Sequence, residues 1–93
     1  MTENELNKCR RLAYNRLYAA AYGAEAKLFV LVSKWPFRLV QRDKVRTELE
    51  ALESCIKDCG LEEDYATWKN TPRAGKIYRA AKKKAIEEIR RNG

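Results

Sequence analysis

Ala24-Glu25-Ala26-Lys27-Leu28-Phe29-Val30-Leu31-Val32-Ser33-Lys34-Trp35-Pro36 is the stretch on which the fold turns. It runs twelve residues without glycine or proline, and Leu28 to Val32 within that run are five consecutive apolar side chains. Trp35-Pro36 then interrupts it. Proline disfavours the α conformation at the residue before it, yet suits the first position of a new helix. One helix therefore ends here and another starts soon after. Leu28 to Val32 leaves no polar side for water, so this helix end has to be covered on several sides. Cover is expected from residues 61–72 folding over it, with a second copy or a partner chain as the alternative.

Backwards from this stretch no proline occurs. At 100° per residue, Leu6, Ala13, Leu17, Ala20, Ala24, Leu28 and Leu31 share one face. Thr2 and Glu5 have the spacing of a capping box. These signals predict one long helix from about Glu3 to Ser33. Gly23 is its weak point, costing ~1 kcal/mol against alanine, and marks either a kink or a close approach by another helix.

Forwards, a second helix is expected from Pro36 or Asp43 to Cys59. Phe37, Val45, Leu49, Leu52, Cys55, Ile56 and Cys59 fall on its apolar side, and Gly60 ends it with Leu61 as the following apolar contact. Residues 61–70 are acidic and hold Tyr65 and Trp68, which a short helix would carry into the core. Asn70-Thr71-Pro72 places an N-cap threonine before an N1 proline, so the last helix runs from Pro72 to about Arg91. No useful period-2 alternation, repeat or low-complexity segment is visible. The expectation is an all-α single domain over residues 1–93. It is a small three- or four-helix bundle with a long N-terminal helix and a basic C-terminal helix.

The 93 residues carry 20 Lys/Arg against 13 Asp/Glu, a net charge of +7. Residues 72–93 hold eight of the cations and two of the acids. With Arg73 as origin, Lys76, Arg79, Lys83 and Arg90 fall between about 240° and 300°, opposite Ile77, Tyr78, Ala81, Ala85 and Ile89. Lys82 and Lys84 flank this stripe. From Lys76 to Arg90 it is roughly 21 Å long at 1.5 Å per residue. Arg73 sits beside a helix N-terminus that is itself partly positive, an arrangement that a nearby anion would relieve. Such a stripe suits phosphate contacts, which give affinity without sequence choice. It is also what any solvated amphipathic helix presents. DNA, RNA or an acidic protein surface are the partners it implies. A membrane is not expected, because the face opposite the stripe is mostly alanine and lacks Trp, Phe and Leu.

A second candidate surface lies on the first helix, where Arg11, Tyr18, Tyr22 and Phe29 share one side. Aromatic and basic residues together suit single-stranded nucleic acid or a protein hot spot. Tyrosines at helical spacing also flank cores, which is the plainer reading.

Catalytic chemistry is poorly supplied. There is no histidine, so the commonest general base and metal ligand is missing. Neither a Ser-His nor a Cys-His nucleophile pair can be built. Cys9, Cys55 and Cys59 give at most three thiolates where structural zinc takes four ligands, and buried thiols are expected. The glycines form no phosphate loop. Glu62-Glu63-Asp64 is too small a set for a convincing cation site. Neither metal nor cofactor is expected, and no catalytic residue is assigned. The first twenty residues hold no apolar leader and no apolar run approaches 18 residues, so the expected location is cytoplasmic. In size, charge and want of catalytic groups the chain resembles the small accessory proteins that phages encode. An adaptor or inhibitor docking on a larger complex, through the tyrosine-rich first helix or the Leu28–Val32 patch, is the alternative expectation. The principal expectation is a non-catalytic nucleic-acid-binding accessory protein. Self-association is a further option.

Overall fold

In a computed structural model, which describes residues 2–92, the chain is four helices: α1 (Glu3–Lys34), α2 (Leu39–Asp58), α3 (Glu62–Lys69) and α4 (Pro72–Asn92). The long axis of 50 Å is set by α1 alone, since 32 residues at 1.5 Å rise make roughly 48 Å. Thr2 starts it by accepting a hydrogen bond on Oγ1 from the Glu5 amide at 3.3 Å. Trp35 ends it, its amide reaching Leu31 O at 2.9 Å.

Everything else is arranged around α1. α2 runs back antiparallel to it and α3 crosses over. α4 then rises parallel to α1, with Ala74 packed near Tyr18 and Ala21 and Ile89 packed near Val30 and Leu31. Among the described residues, no Cα of α2 comes within 8 Å of one in α4. The two helices lean on α1 from different sides. A groove between them is lined by Lys27, Leu31, Gln41, Lys44, Val45, Glu48, Glu88 and Ile89.

The core has two parts. One joins Tyr18 and Ala21 of α1 to Ile56, Tyr65, Trp68 and Ala74. It is aromatic: Tyr18 lies 5.2 Å from Tyr65 and 5.7 Å from Trp68, ring centre to ring centre. The other joins Val30 and Leu31 to Val45, Ala85 and Ile89. Cover for Val30 and Leu31 therefore comes from α2 and α4, while Phe29 and Val32 at the same end stay exposed. It does not come from residues 61–72, which pack a helix length away.

The caps fall where the turn chemistry puts them. Gly60 has φ +70°, the left-handed conformation that glycine adopts without steric cost. The Leu61 amide reaches Ile56 O and the Gly60 amide reaches Lys57 O, both at 2.9 Å, which is a Schellman ending to α2. Thr71 Oγ1 accepts from the Ala74 amide at 3.3 Å and donates to Trp68 O at 2.7 Å. Pro72 occupies the first position of α4, and its peptide bond is trans.

Three further expectations fail. On α1 the buried residues are Tyr18, Ala21, Ala26, Val30 and Leu31, whereas Leu6, Ala13 and Ala20 are exposed. A helix packed on from several sides buries a broad, drifting sector, and a single-face reading misses it. Residues 3–13 are exposed throughout, because α2 ends before reaching them. α2 begins at Leu39, so Phe37 lies outside the helix and in solvent. Cys9, Cys55 and Cys59 are free and exposed, not buried. Cys55 and Cys59 lie past the edge of the stripe formed by Val45, Leu49 and Ile56.

Candidate nucleic-acid interface

α4 owes its orientation to its apolar stripe. Ala74, Ala85 and Ile89 are buried against α1, with Ile77, Tyr78 and Ala81 partly so. Small residues let the two helices come close. A Cβ built on Gly23 of α1 would stand 3.8 Å from that of Ala81. With that side committed, Arg73, Lys76, Arg79, Lys83, Lys84 and Arg90 are all turned to solvent. Arg91 is exposed too, about 100° round the helix from Arg90 and outside the stripe. Among the described residues the one ion pair is Arg11 with Asp64. No carboxylate there stands within 4 Å of a cation of α4, although exposed Glu87 lies beside the stripe.

Lys82 behaves differently from the rest of its group. It is half-buried, and its Nζ stands 5.0 Å above the Phe29 ring and 5.7 Å from the Tyr78 ring. Its charge is shared with two aromatic faces, so it braces α4 on α1 before it serves any ligand.

Arg11, Tyr18, Tyr22 and Phe29 do not form a surface. Tyr18 is wholly buried, which removes it as a contact residue. Tyr22 is half-buried between Trp68 at 5.9 Å and Tyr78 at 4.7 Å. Arg11 and Phe29 remain at the surface, but 18 residues along α1 separate them by roughly 27 Å. The plainer reading, tyrosines flanking a core, describes Tyr22, whereas Tyr18 lies inside the core with its hydroxyl on Asp64.

What the sequence did not suggest is a small polar cluster at this point. The Tyr18 hydroxyl donates to Asp64 Oδ2 at 2.7 Å, and Arg11 Nη1 donates to the same oxygen at 3.1 Å. The Tyr18 hydrogen bond, joined by that from Arg11 and its charge, holds the Asp64 carboxyl below the usual carboxylate range against the opposing effect of desolvation. Burial, followed by the Asp64 hydrogen bond and charge, pushes the Tyr18 phenol well up. Asp64 is thereby committed to fastening α3 to α1. Among the described residues no three His, Cys, Asp or Glu side chains are grouped so as to hold a metal ion. No helix there is long and apolar enough to cross a membrane. At Cys59, desolvation and then the neighbouring Cys55 and Asp58 raise the thiol above its usual range, which leaves less of the nucleophilic thiolate.

Comparison of the chain with protein-family models, with curated proteins and with solved structures finds no match.

Proposed function

We propose that this protein is a non-catalytic nucleic-acid-binding protein that lays the outer face of α4 along the phosphates of a duplex. The observation that carries the reading is the row Arg73, Lys76, Arg79, Lys83 and Arg90, exposed along one helix face with no carboxylate partner among the described residues. Unpaired cations in a line neutralise successive phosphates and release their counterions. A duplex is favoured over a single strand by where the aromatic rings are. Stacking on bases needs exposed ring faces. Around the row Tyr18 and Trp68 are buried, Tyr22 and Tyr78 pack on each other, and Lys82 lies over Phe29; the exposed Phe37 ring stands at the α1–α2 corner, off the row. The row has no hydrogen-bond acceptors apart from backbone, so base-edge discrimination is expected to be weak.

Fluorescence anisotropy with a labelled duplex and a labelled single strand, each at two salt concentrations, tests this. Four or five phosphate contacts give a slope of log affinity against log salt of about −4. Lys76→Glu with Lys83→Glu is expected to weaken duplex binding at least about tenfold and to flatten the slope by roughly two. Absence of binding to either nucleic acid at low salt sinks the reading.

An acidic protein surface is the second reading, since the same unpaired row would serve it. A pull-down from lysate with and without nuclease separates the two. A partner retained after nuclease treatment, and lost with the same double substitution, favours the protein.

A further inference from the structure

The corner between α1 and α2 presents a cluster that α4 does not explain. Phe37 is 76% exposed, Val40 71%, Leu39 62% and Val32 45%. All four lie within about one helical turn of the chain reversal. The backbone beneath them is tied down. The Arg38 amide reaches Trp35 O at 3.1 Å, and Arg42 Nη1 donates to Pro36 O at 2.6 Å. The apolar side chains are thus held outward by an ordered corner, with Trp35 half-buried at its base.

The surroundings of this cluster are basic. Lys34 and Lys44 are exposed beside it and Arg38 is partly so, against two exposed acids, Asp43 next to Lys44 and Glu48 one turn further along α2. Because α4 runs parallel to α1, Arg90 and Arg91 arrive at the same end of the molecule. The acidic residues Glu62, Glu63 and Asp64 sit near Arg11 and Tyr18, roughly 25–30 Å away along α1. An apolar tip with a cationic collar requires an occupant with an anionic skin and an apolar interior. A second copy of the chain fails that requirement, since tip-to-tip pairing would bring the two collars together. Four side chains also offer about a few hundred Å², short of the ~800 Å² that each partner of a standard protein interface contributes. The cluster stands at a chain reversal with Phe37, Leu39 and Val40 more than half exposed, so it can enter a soft surface without a matching pocket. Phe and Leu beside Lys and Arg are the interfacial pattern whose absence from α4 argued against a membrane.

We infer that the α1–α2 corner is a membrane-surface anchor, inserting Phe37, Leu39 and Val40 among the headgroups of an anionic bilayer while Lys34, Arg38, Arg90 and Arg91 meet the lipid phosphates. The apolar corner lies off the outer face of α4 and shares only Arg90 with its row of cations, so substitutions at Phe37 and Val40 test it apart from nucleic-acid binding.

Vesicles of phosphatidylcholine, with and without phosphatidylserine, are the probe, read by co-sedimentation and by tryptophan emission. Trp35 lies in the corner and Trp68 in the core, so insertion shifts the Trp35 contribution to the blue while Trp68 stays constant. The full chain is expected to partition onto phosphatidylserine vesicles at least about tenfold better than onto phosphatidylcholine alone, less so at high salt. Phe37→Ser with Val40→Ser is expected to lose the blue shift and about tenfold in partition, while keeping its circular dichroism and duplex affinity. Lys76→Glu with Lys83→Glu is expected to lose duplex binding and keep the blue shift. The inference is overturned by absence of partition at low salt, or by partition that the corner substitutions leave unchanged. A concentration-dependent dimer abolished by those substitutions, with no vesicle binding, overturns it in favour of a second copy.

Discussion

Asp64 accepts hydrogen bonds from a buried phenol and an exposed guanidinium, and these two partners are unequal. Removing the acceptor strands the Tyr18 hydroxyl inside the core, and an unsatisfied buried donor costs about 1–3 kcal/mol. Removing Arg11 breaks an exposed ion pair worth about 0–1 kcal/mol. Urea unfolding should therefore rank Asp64→Ala as more destabilising than Arg11→Ala, with Tyr18→Phe, at about 1 kcal/mol, between them. The pH dependence follows from the same residues. The Asp64 carboxyl is lowered in the folded state, so its contribution is present above the ordinary value of about 3.9 and is lost as pH falls through the folded value. Tyr18, Tyr65 and Tyr78 are raised, chiefly by burial. Their contribution is full below about pH 10 and declines as the pH rises beyond it, because only the unfolded chain then loses these protons readily. Melting temperature against pH should fall at both ends, and Tyr18→Phe should soften the alkaline fall. None of this was legible beforehand. The spacing of Arg11, Tyr18 and Tyr22 marks a shared helix side, but says nothing about which residue 46 positions later stands opposite.

At the scale of the element, the ends of helices were the most readable features and their faces the least. Thr2, Gly60, Thr71 and Pro72 act through bonds to residues within five positions, so local sequence contains all the partners they need. Thr71→Ala should cost about 1 kcal/mol, through loss of the cap on the Ala74 amide. Gly60→Ala should also cost about 1 kcal/mol, because a side chain is strained at φ +70°. Gly23→Ala is expected to do the opposite. Its added methyl would meet Ala81 at ordinary contact distance, and alanine is the better helix former by up to ~1 kcal/mol. Thermal unfolding of the three variants should show two decreases and one increase. The α1 face resists this kind of reading, since its buried sector depends on how many helices pack on it and where each one stops.

The molecule as a whole is an axle with a free end. α2, α3 and α4 cover α1 from about Tyr14 onward, and among the described residues none packs on the apolar side chains of its first three turns. Deleting residues 2–9 should lower helical ellipticity yet change the unfolding free energy by less than about 1 kcal/mol, measured in urea. The same architecture distributes charge. Acidic α3 lies at one level of α1, and the last turn of α4 reaches the other end beside the apolar corner.

The sequence by itself determined that the chain is helical, how many helices it makes to within one, where most of them start and stop, and that α4 carries its cations opposite its apolar side. These are consequences of periodicity and of bonds between near neighbours. Tertiary structure alone decided that Tyr18 is interior and Phe37 exterior, that the cysteines face solvent, and that Val30 and Leu31 at the apolar end of α1 are covered by α2 and α4. The physical reason is the same in each case. Burial is a property of what lies opposite, and here that is fixed by the short crossing of α3, which sends α4 up the same axle that α2 came down.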